Sequence, residues 1–244
     1  MNTDLLNLYQ KKEPALQDFR QYCTQILDNQ KITIMHSDVL DAYWATGKKI
    51  AIVGQEPGNW YLAEWEKQIP TVADSMGYTE DFLVNALHLE YAPKNKFFEF
   101  IHEYSSNVNG HNANSSQYSI DSVYWTNIFR LCTQKRDKSR KISDENVLYT
   151  QYIDQHQTLT TELAVVKPDI ILFLTGPNYD RFIKMIYPDV SFTELSKTYD
   201  ARKLARLYSK DLPQKTFRTY HPEYPGRYDT GLWEPIMQEL CAYS

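Results

Sequence analysis

The chain has 244 residues, 42% hydrophobic and 23% charged, with a formal net charge of −5, which is enough chain and apolar content to bury a core without disulfide or metal staples. The net negative charge excludes a protein that coats nucleic acid by charge alone. The balance is uneven, however: residues 1–122 hold 9 Lys and Arg against 16 Asp and Glu, and residues 123–244 hold 17 against 15, so the second half has room for a local basic face.

The first thirty residues place Leu5, Leu6, Leu8, Tyr9, Leu16, Phe19, Tyr22, Ile26 and Leu27 at helical spacing, and an N-terminal helical segment is expected over 1–45. A strand is predicted at Lys49–Val53, stopped by the turn-forming Gly54-Gln55-Glu56-Pro57-Gly58. An insert of about 61–120 reads as helical to about residue 104, followed by an Asn- and Ser-rich loop from Ser105 to Ser119. A second strand fits Ser122–Thr126 and ends at Asn127. Lys135 to Lys141, five basic residues in seven, reads as a solvated loop or a phosphate contact, and Ser143 can cap a helix running to about Val166.

The strongest strand is Ile170-Ile171-Leu172-Phe173-Leu174, closed by Thr175-Gly176-Pro177 and followed by a helix to about Ile186. A last strand near Thr216–Tyr220 stops at His221-Pro222, and Leu232–Leu240 is the terminal helix. Short apolar strands alternating with helices predict one α/β domain over 1–244, a three-layer α/β/α sandwich around a central, mostly parallel four-stranded sheet.

The five-residue apolar run is too short to cross a bilayer, and Met1–Leu5 lacks the basic start and apolar core of a secretory leader. A cytoplasmic protein without membrane contact is expected. Three scattered cysteines without Cys-x-x-Cys and six histidines without His-Glu-x-x-His suggest no metal and no cofactor.

In a parallel sheet, functional groups gather where the strands end. Here the strand ends supply a carboxylate (Glu56), an amide that both donates and accepts (Asn127) and an imidazole (His221). Each has a simpler role open to it. Gln55 and Glu56 can satisfy turn amides, Asn127 can close an Asx-turn, and His221 can be a structural hydrogen-bonding group.

Four segments, in order, resemble the motifs of the uracil-DNA glycosylase superfamily. Gly54-Gln55-Glu56-Pro57-Gly58 is similar to its first motif, and Val123–Asn127 to the strand whose terminal Asn reads the base. Lys167-Pro168 through Gly176 resembles its third segment, and Thr219-Tyr220-His221-Pro222 its final motif. Tyr91-Ala92-Pro93-Lys94-Asn95-Lys96-Phe97-Phe98 resembles an aromatic segment of the mismatch-specific branch. The resemblance implies a monofunctional enzyme of base excision and DNA repair that flips a nucleotide out and hydrolyses its N-glycosidic bond. It implies Glu56 and His221 as catalytic groups, Gln55, Gly58, Tyr91 and Asn127 around the base, and Tyr224 and Arg227 against DNA, while Lys135 and Arg136 of the basic run are candidate phosphate contacts by their charge. The expected partner is DNA and the expected state a monomer.

The sequence also departs from the family. The iron–sulfur branches use four cysteines, and this chain has three. Gly58 stands where the classical uracil enzyme has a Tyr that excludes a 5-methyl group, and Glu56 replaces the usual Asp or Asn. The expected substrate is uracil or a C5-modified pyrimidine; the open position, with the insert at 61–120, suggests one other than plain uracil, a mismatched thymine or a cytosine bulky at C5 as in modified phage DNA, with phage defence as one use. A catalytically weak nucleic-acid-binding module on the same fold is the rival expectation.

Overall fold

Apolar runs with no polar face must be covered on both sides, and three such runs form the centre of the molecule. In the computed structural model these are β2 (Ile50–Gly54), β3 (Val123–Asn127) and β6 (Ile170–Leu174), each buried along its whole length. The structure describes residues 1–26, 31–45, 47–57, 71–85, 96–110, 119–135, 138–140, 152, 158–224 and 233–244. The remaining described α-helices and strands are α1 (Thr3–Ile26), β1 (Lys31–Ile34), α2 (Val72–Asn85), α3 (Lys96–Asn109), β4 (Leu131–Lys135), β5 (Lys138–Arg140), α4 (Thr158–Val166), α5 (Asp180–Ile186), β7 (Ser191–Glu194), β8 (Leu204–Tyr208), β9 (Lys215–Thr219) and α6 (Trp233–Tyr243).

The main sheet has the order β3-β2-β6-β9-β8-β7. Its first four strands run parallel, while β8 and β7 join antiparallel. Successive residues of β2 point to opposite faces. Ala51 and Val53 join Tyr124 and Phe173 in a core covered by Leu5 and Tyr9 of α1, Leu163 of α4 and Phe182 of α5. Ile50 and Ile52 join Trp125 and Leu172 in a second core, covered by Phe97, Phe100 and Ile101 of α3 and by Ile236, Met237 and Leu240 of α6. This is the expected α/β/α sandwich. Each large apolar side chain so buried contributes about 1.5–3 kcal/mol.

The helix α1 starts where the sequence supplies a cap. The Asn2 side-chain oxygen accepts from the amides of Asp4 (3.1 Å) and Leu5 (3.0 Å). Leu5, Tyr9, Leu16, Phe19 and Cys23 then form its buried face.

The structure corrects several expectations. The sheet has six strands rather than four: β8 and the edge strand β7 join it, and their short mixed sequences, Leu204–Tyr208 and Ser191–Glu194, carry no long apolar run to mark them. Residues 1–45 are not all helical. The strand β1 lies within them and heads a second, three-stranded antiparallel sheet, β1-β4-β5. The run from Lys135 is not simply a loop either, since Lys135 ends β4 and Lys138–Arg140 forms β5.

The helix α3 continues through Ser105 to Asn109, because burial of Tyr104, Ser105 and Ser106 outweighs the loop-like composition. Asn109 then anchors its end, accepting from the Lys48 amide (2.9 Å) and donating to the Lys48 carbonyl (3.0 Å) and the Ser122 hydroxyl (2.8 Å). Of the helix expected from Ser143 to Val166, α4 covers Thr158–Val166, and residues 141–151 and 153–157 lie outside the described residues. No helix among the described residues is long and apolar enough to cross a membrane.

Candidate active site

The four parallel strands end on one edge, and hydrogen bonds join those ends in turn. Gly54 pairs with Asn127 in the ladder, and the Ile128 and Phe129 amides donate to the carbonyls of Gly54 (3.0 Å) and Gln55 (3.1 Å). The Gln55 side-chain amide donates to the Thr175 carbonyl (2.9 Å), tying the end of β2 to the end of β6. The Gly176 amide donates to the Thr219 carbonyl (2.9 Å), tying β6 to β9 just before His221. Gly176 is left-handed at φ 71°, a conformation that favours glycine.

Glu56 follows β2, and its Oε1 accepts a 2.8 Å hydrogen bond from the Tyr179 hydroxyl. Tyr179 lies in the short turn Pro177–Tyr179 between β6 and α5 and is buried. A second phenol senses the same carboxylate: Tyr152 is pushed up to about 12, first by burial, with the Glu56 charge also raising it.

Asn127 is only 2% exposed. Its Nδ2 donates to Met35 Sδ at 3.2 Å, and its Oδ1 lies so close to Gly54 that a β-carbon there would sit 2.3 Å away. Behind it is a buried ion pair. The Arg130 guanidinium donates to both oxygens of Glu162 and to the Asn127 carbonyl. The Thr126 hydroxyl also donates to Glu162 (3.1 Å), and Ser37 donates to Thr126 (3.1 Å). Burial is the largest single influence on Arg130 and opposes its charge, but the Glu162 carboxylate together with the Tyr124, Tyr9 and Tyr152 hydroxyls outweighs it, and the guanidinium is raised.

His221 is half-buried and stacks on Phe97 of α3, with ring centroids 4.9 Å apart and planes 14° apart. Its Nδ1 accepts from the Glu223 amide at 3.2 Å. The lone pair is therefore on Nδ1, and the neutral ring carries its proton on Nε2. The Tyr224 amide turns back onto the His221 carbonyl (3.0 Å), and the Tyr224 ring is 46% exposed.

The edge thus brings together Gln55, Glu56, Asn127 and His221 with the adjoining Tyr224. Gly58, Tyr91, Arg136 and Arg227 lie outside the described residues, as does the side chain of Lys135. The structure adds Met35, Phe97, Tyr179 and the Arg130–Glu162 pair. Tyr179 carried a faint sequence signal, three residues beyond a strand-ending glycine. Met35 carried none, because it adjoins the unread strand β1. Among the described residues no group of three His, Cys, Asp or Glu is placed to hold a metal ion.

Among curated proteins none matches the chain. The family model of the Uracil DNA glycosylase superfamily matches residues 42–241, a span that contains all four joined strand ends and most of the chain. The chain therefore belongs to the uracil DNA glycosylase superfamily, a family of typically hydrolytic DNA glycosylases.

Proposed function

We propose that this chain is a monofunctional hydrolase of DNA, acting as a monomer in the cytoplasm, that releases uracil or a C5-modified pyrimidine from a flipped-out nucleotide. The carrying observation is the shared edge at which Glu56 is held by a phenol and His221 is capped on Nδ1 and keeps its proton on Nε2. The C1′–N1 bond breaks with its electron pair leaving on the base. The His221 Nε2–H stabilises the charge that develops on the base oxygen, and a neutral donor does so without changing protonation state. A water bonds to C1′ and loses its proton to Glu56, which also steadies the cationic sugar.

Asn127 reads the base edge, with Gln55 and Gly58 around it and Tyr91 stacked on the ring. The Asn127 amide is held by a thioether, a weak acceptor, so a base carbonyl that reaches it outcompetes Met35. Tyr224 fills the gap left in the duplex, and Arg227, Lys135 and Arg136 contact phosphates. Gly58 in place of a bulky residue supports a pyrimidine carrying a C5 group, and a modified phage base is the substrate that would connect the enzyme to phage defence.

The near-complete burial of Asn127 favours a second reading, a catalytically weak DNA-binding module on this fold. Mass spectrometry of free bases released from a DNA panel separates the two. The panel holds uracil, thymine opposite guanine, hypoxanthine, hydroxymethylcytosine and its glucosylated form. Release of one base, lost in His221→Ala, supports the glycosylase; DNA binding with no release from any member supports the module.

A further inference from the structure

We propose that Tyr179 is a positioning residue for the Glu56 carboxylate, its phenol fixing Oε1 and with it the direction in which the carboxylate works. The inference rests on the role given to Glu56 above. Glutamate carries its carboxylate on a flexible side chain whose torsions must be ordered before the group can act in one direction. A hydroxyl donated to a carboxylate is a strong, directional hydrogen bond, and at 2.8 Å the Tyr179 phenol supplies one.

A positioning group must itself be held, and Tyr179 is. It is 5% exposed, and its ring meets Phe182 (5.2 Å) and Phe129 (6.4 Å) edge-on. Its amide donates to the Gly176 carbonyl at 3.2 Å. The next residue, Asp180, accepts two 2.9 Å bonds from Arg218 of β9, whose guanidinium also donates to the carbonyls of Ala201 and Arg202. The strand β9 is the one that leads into His221. One continuous strap therefore runs from Glu56 through Tyr179, Asp180 and Arg218 to the strand bearing the imidazole, and it registers the two reacting groups against each other.

The substitution Tyr179→Phe keeps the ring packing and removes only the donor. Tyr179 donates to Glu56, and Tyr152, whose pKa the Glu56 charge helps to raise, has its hydroxyl accepting from the Arg130 amide at 2.9 Å. Losing a hydrogen bond to the ionised carboxylate raises its midpoint, by about one pH unit or more. Two readouts follow. In the free protein, a carbon-13 NMR titration of the Glu56 carboxyl shows that upward shift. In base release, kcat falls about tenfold or more with KM nearly unchanged, and the acid limb of the pH profile moves up by the same shift.

If the Glu56 midpoint, kcat and the acid limb all stay at wild-type values in Tyr179→Phe while Glu56→Gln is inactive, the positioning role is overturned and the glycosylase reading stands. If Glu56→Gln releases base at the wild-type rate, the role of Glu56 is overturned and the inference falls with it. If the wild type releases no base, the glycosylase reading fails, and the NMR titration alone decides whether Tyr179 controls the carboxylate.

Discussion

The Asn127 side-chain oxygen occupies the space where a β-carbon on Gly54 would be, 2.3 Å from that position. Two strand ends that pair in the ladder are thereby packed so closely that one must be glycine for the other to keep its amide in place. The substitution Gly54→Ala is expected to push Asn127 off its contact with Met35, abolish base release and destabilise the fold by about 1–3 kcal/mol. Chemical denaturation alongside the base-release assay checks both. A fully active, equally stable alanine variant would remove Asn127 from the reaction.

His221 is poised as a neutral donor, its Nδ1 occupied by the Glu223 amide and its ring seated on Phe97. His221→Ala is expected to lower kcat by about a hundredfold to a thousandfold, the range seen when one donor to a developing oxyanion is lost. The melting temperature should change little, because the ring is only half-buried. Single-turnover kinetics with a releasable base measures the effect without interference from product release.

His36 predicts a pH dependence of stability rather than of activity. It is 5% exposed and its pKa is lowered to about 3, first by burial and then by the Arg130 charge. The Tyr9 ring lies 4.8 Å away, and Glu13 Oε2 approaches Nε2 at 3.8 Å, too weakly to keep the imidazole charged. A depressed folded pKa means that the unfolded chain binds the proton more readily. Stability is therefore intact above about pH 6.5 and is lost progressively as pH falls towards 3, by an amount on the order of 4 kcal/mol. Denaturant midpoints measured across that window should fall more steeply in the wild type than in His36→Gln, and parallel curves would contradict the assignment.

The Arg130–Glu162 pair predicts an asymmetry. Glu162→Gln leaves the guanidinium buried without a countercharge and is expected to cost about 3–5 kcal/mol. Replacing both residues with apolar ones, Arg130→Met with Glu162→Leu, should recover part of that loss, because no buried charge remains unpaired. Equilibrium unfolding of the wild type, the single variant and the double variant tests this. A double variant less stable than the single would show that the hydrogen bonds to Asn127 and Thr126 outweigh the ion pair.

The central strands could be read directly from the chain because their signal is local. Ile50–Gly54, Val123–Asn127 and Ile170–Leu174 are continuous apolar runs closed by turn residues, and a run without a polar face is buried on both sides wherever it sits. The same logic located Asn127, which ends such a run, and Glu56, which lies in the turn that closes one; His221 follows the mixed strand Lys215–Thr219 and was marked by the His-Pro step that stops it. It failed at β1, β7 and β8, whose short mixed patterns acquire strand character only by pairing with a neighbour. It failed again at the end of α3, where Asn109 resembles a loop former until Lys48 and Ser122 give its amide three partners.

What the sequence determined by itself was therefore the run of apolar strands and the polar residues that end them, because both depend on neighbours within a few positions. Only the tertiary structure decided what holds those residues: Tyr179 against Glu56 across 123 positions of chain, Met35 against Asn127 across 92, and Phe97 beneath His221. A hydrogen bond or a ring stack between distant segments leaves no period and no spacing in the chain. It exists only once the parallel sheet has brought the strand ends to a common edge.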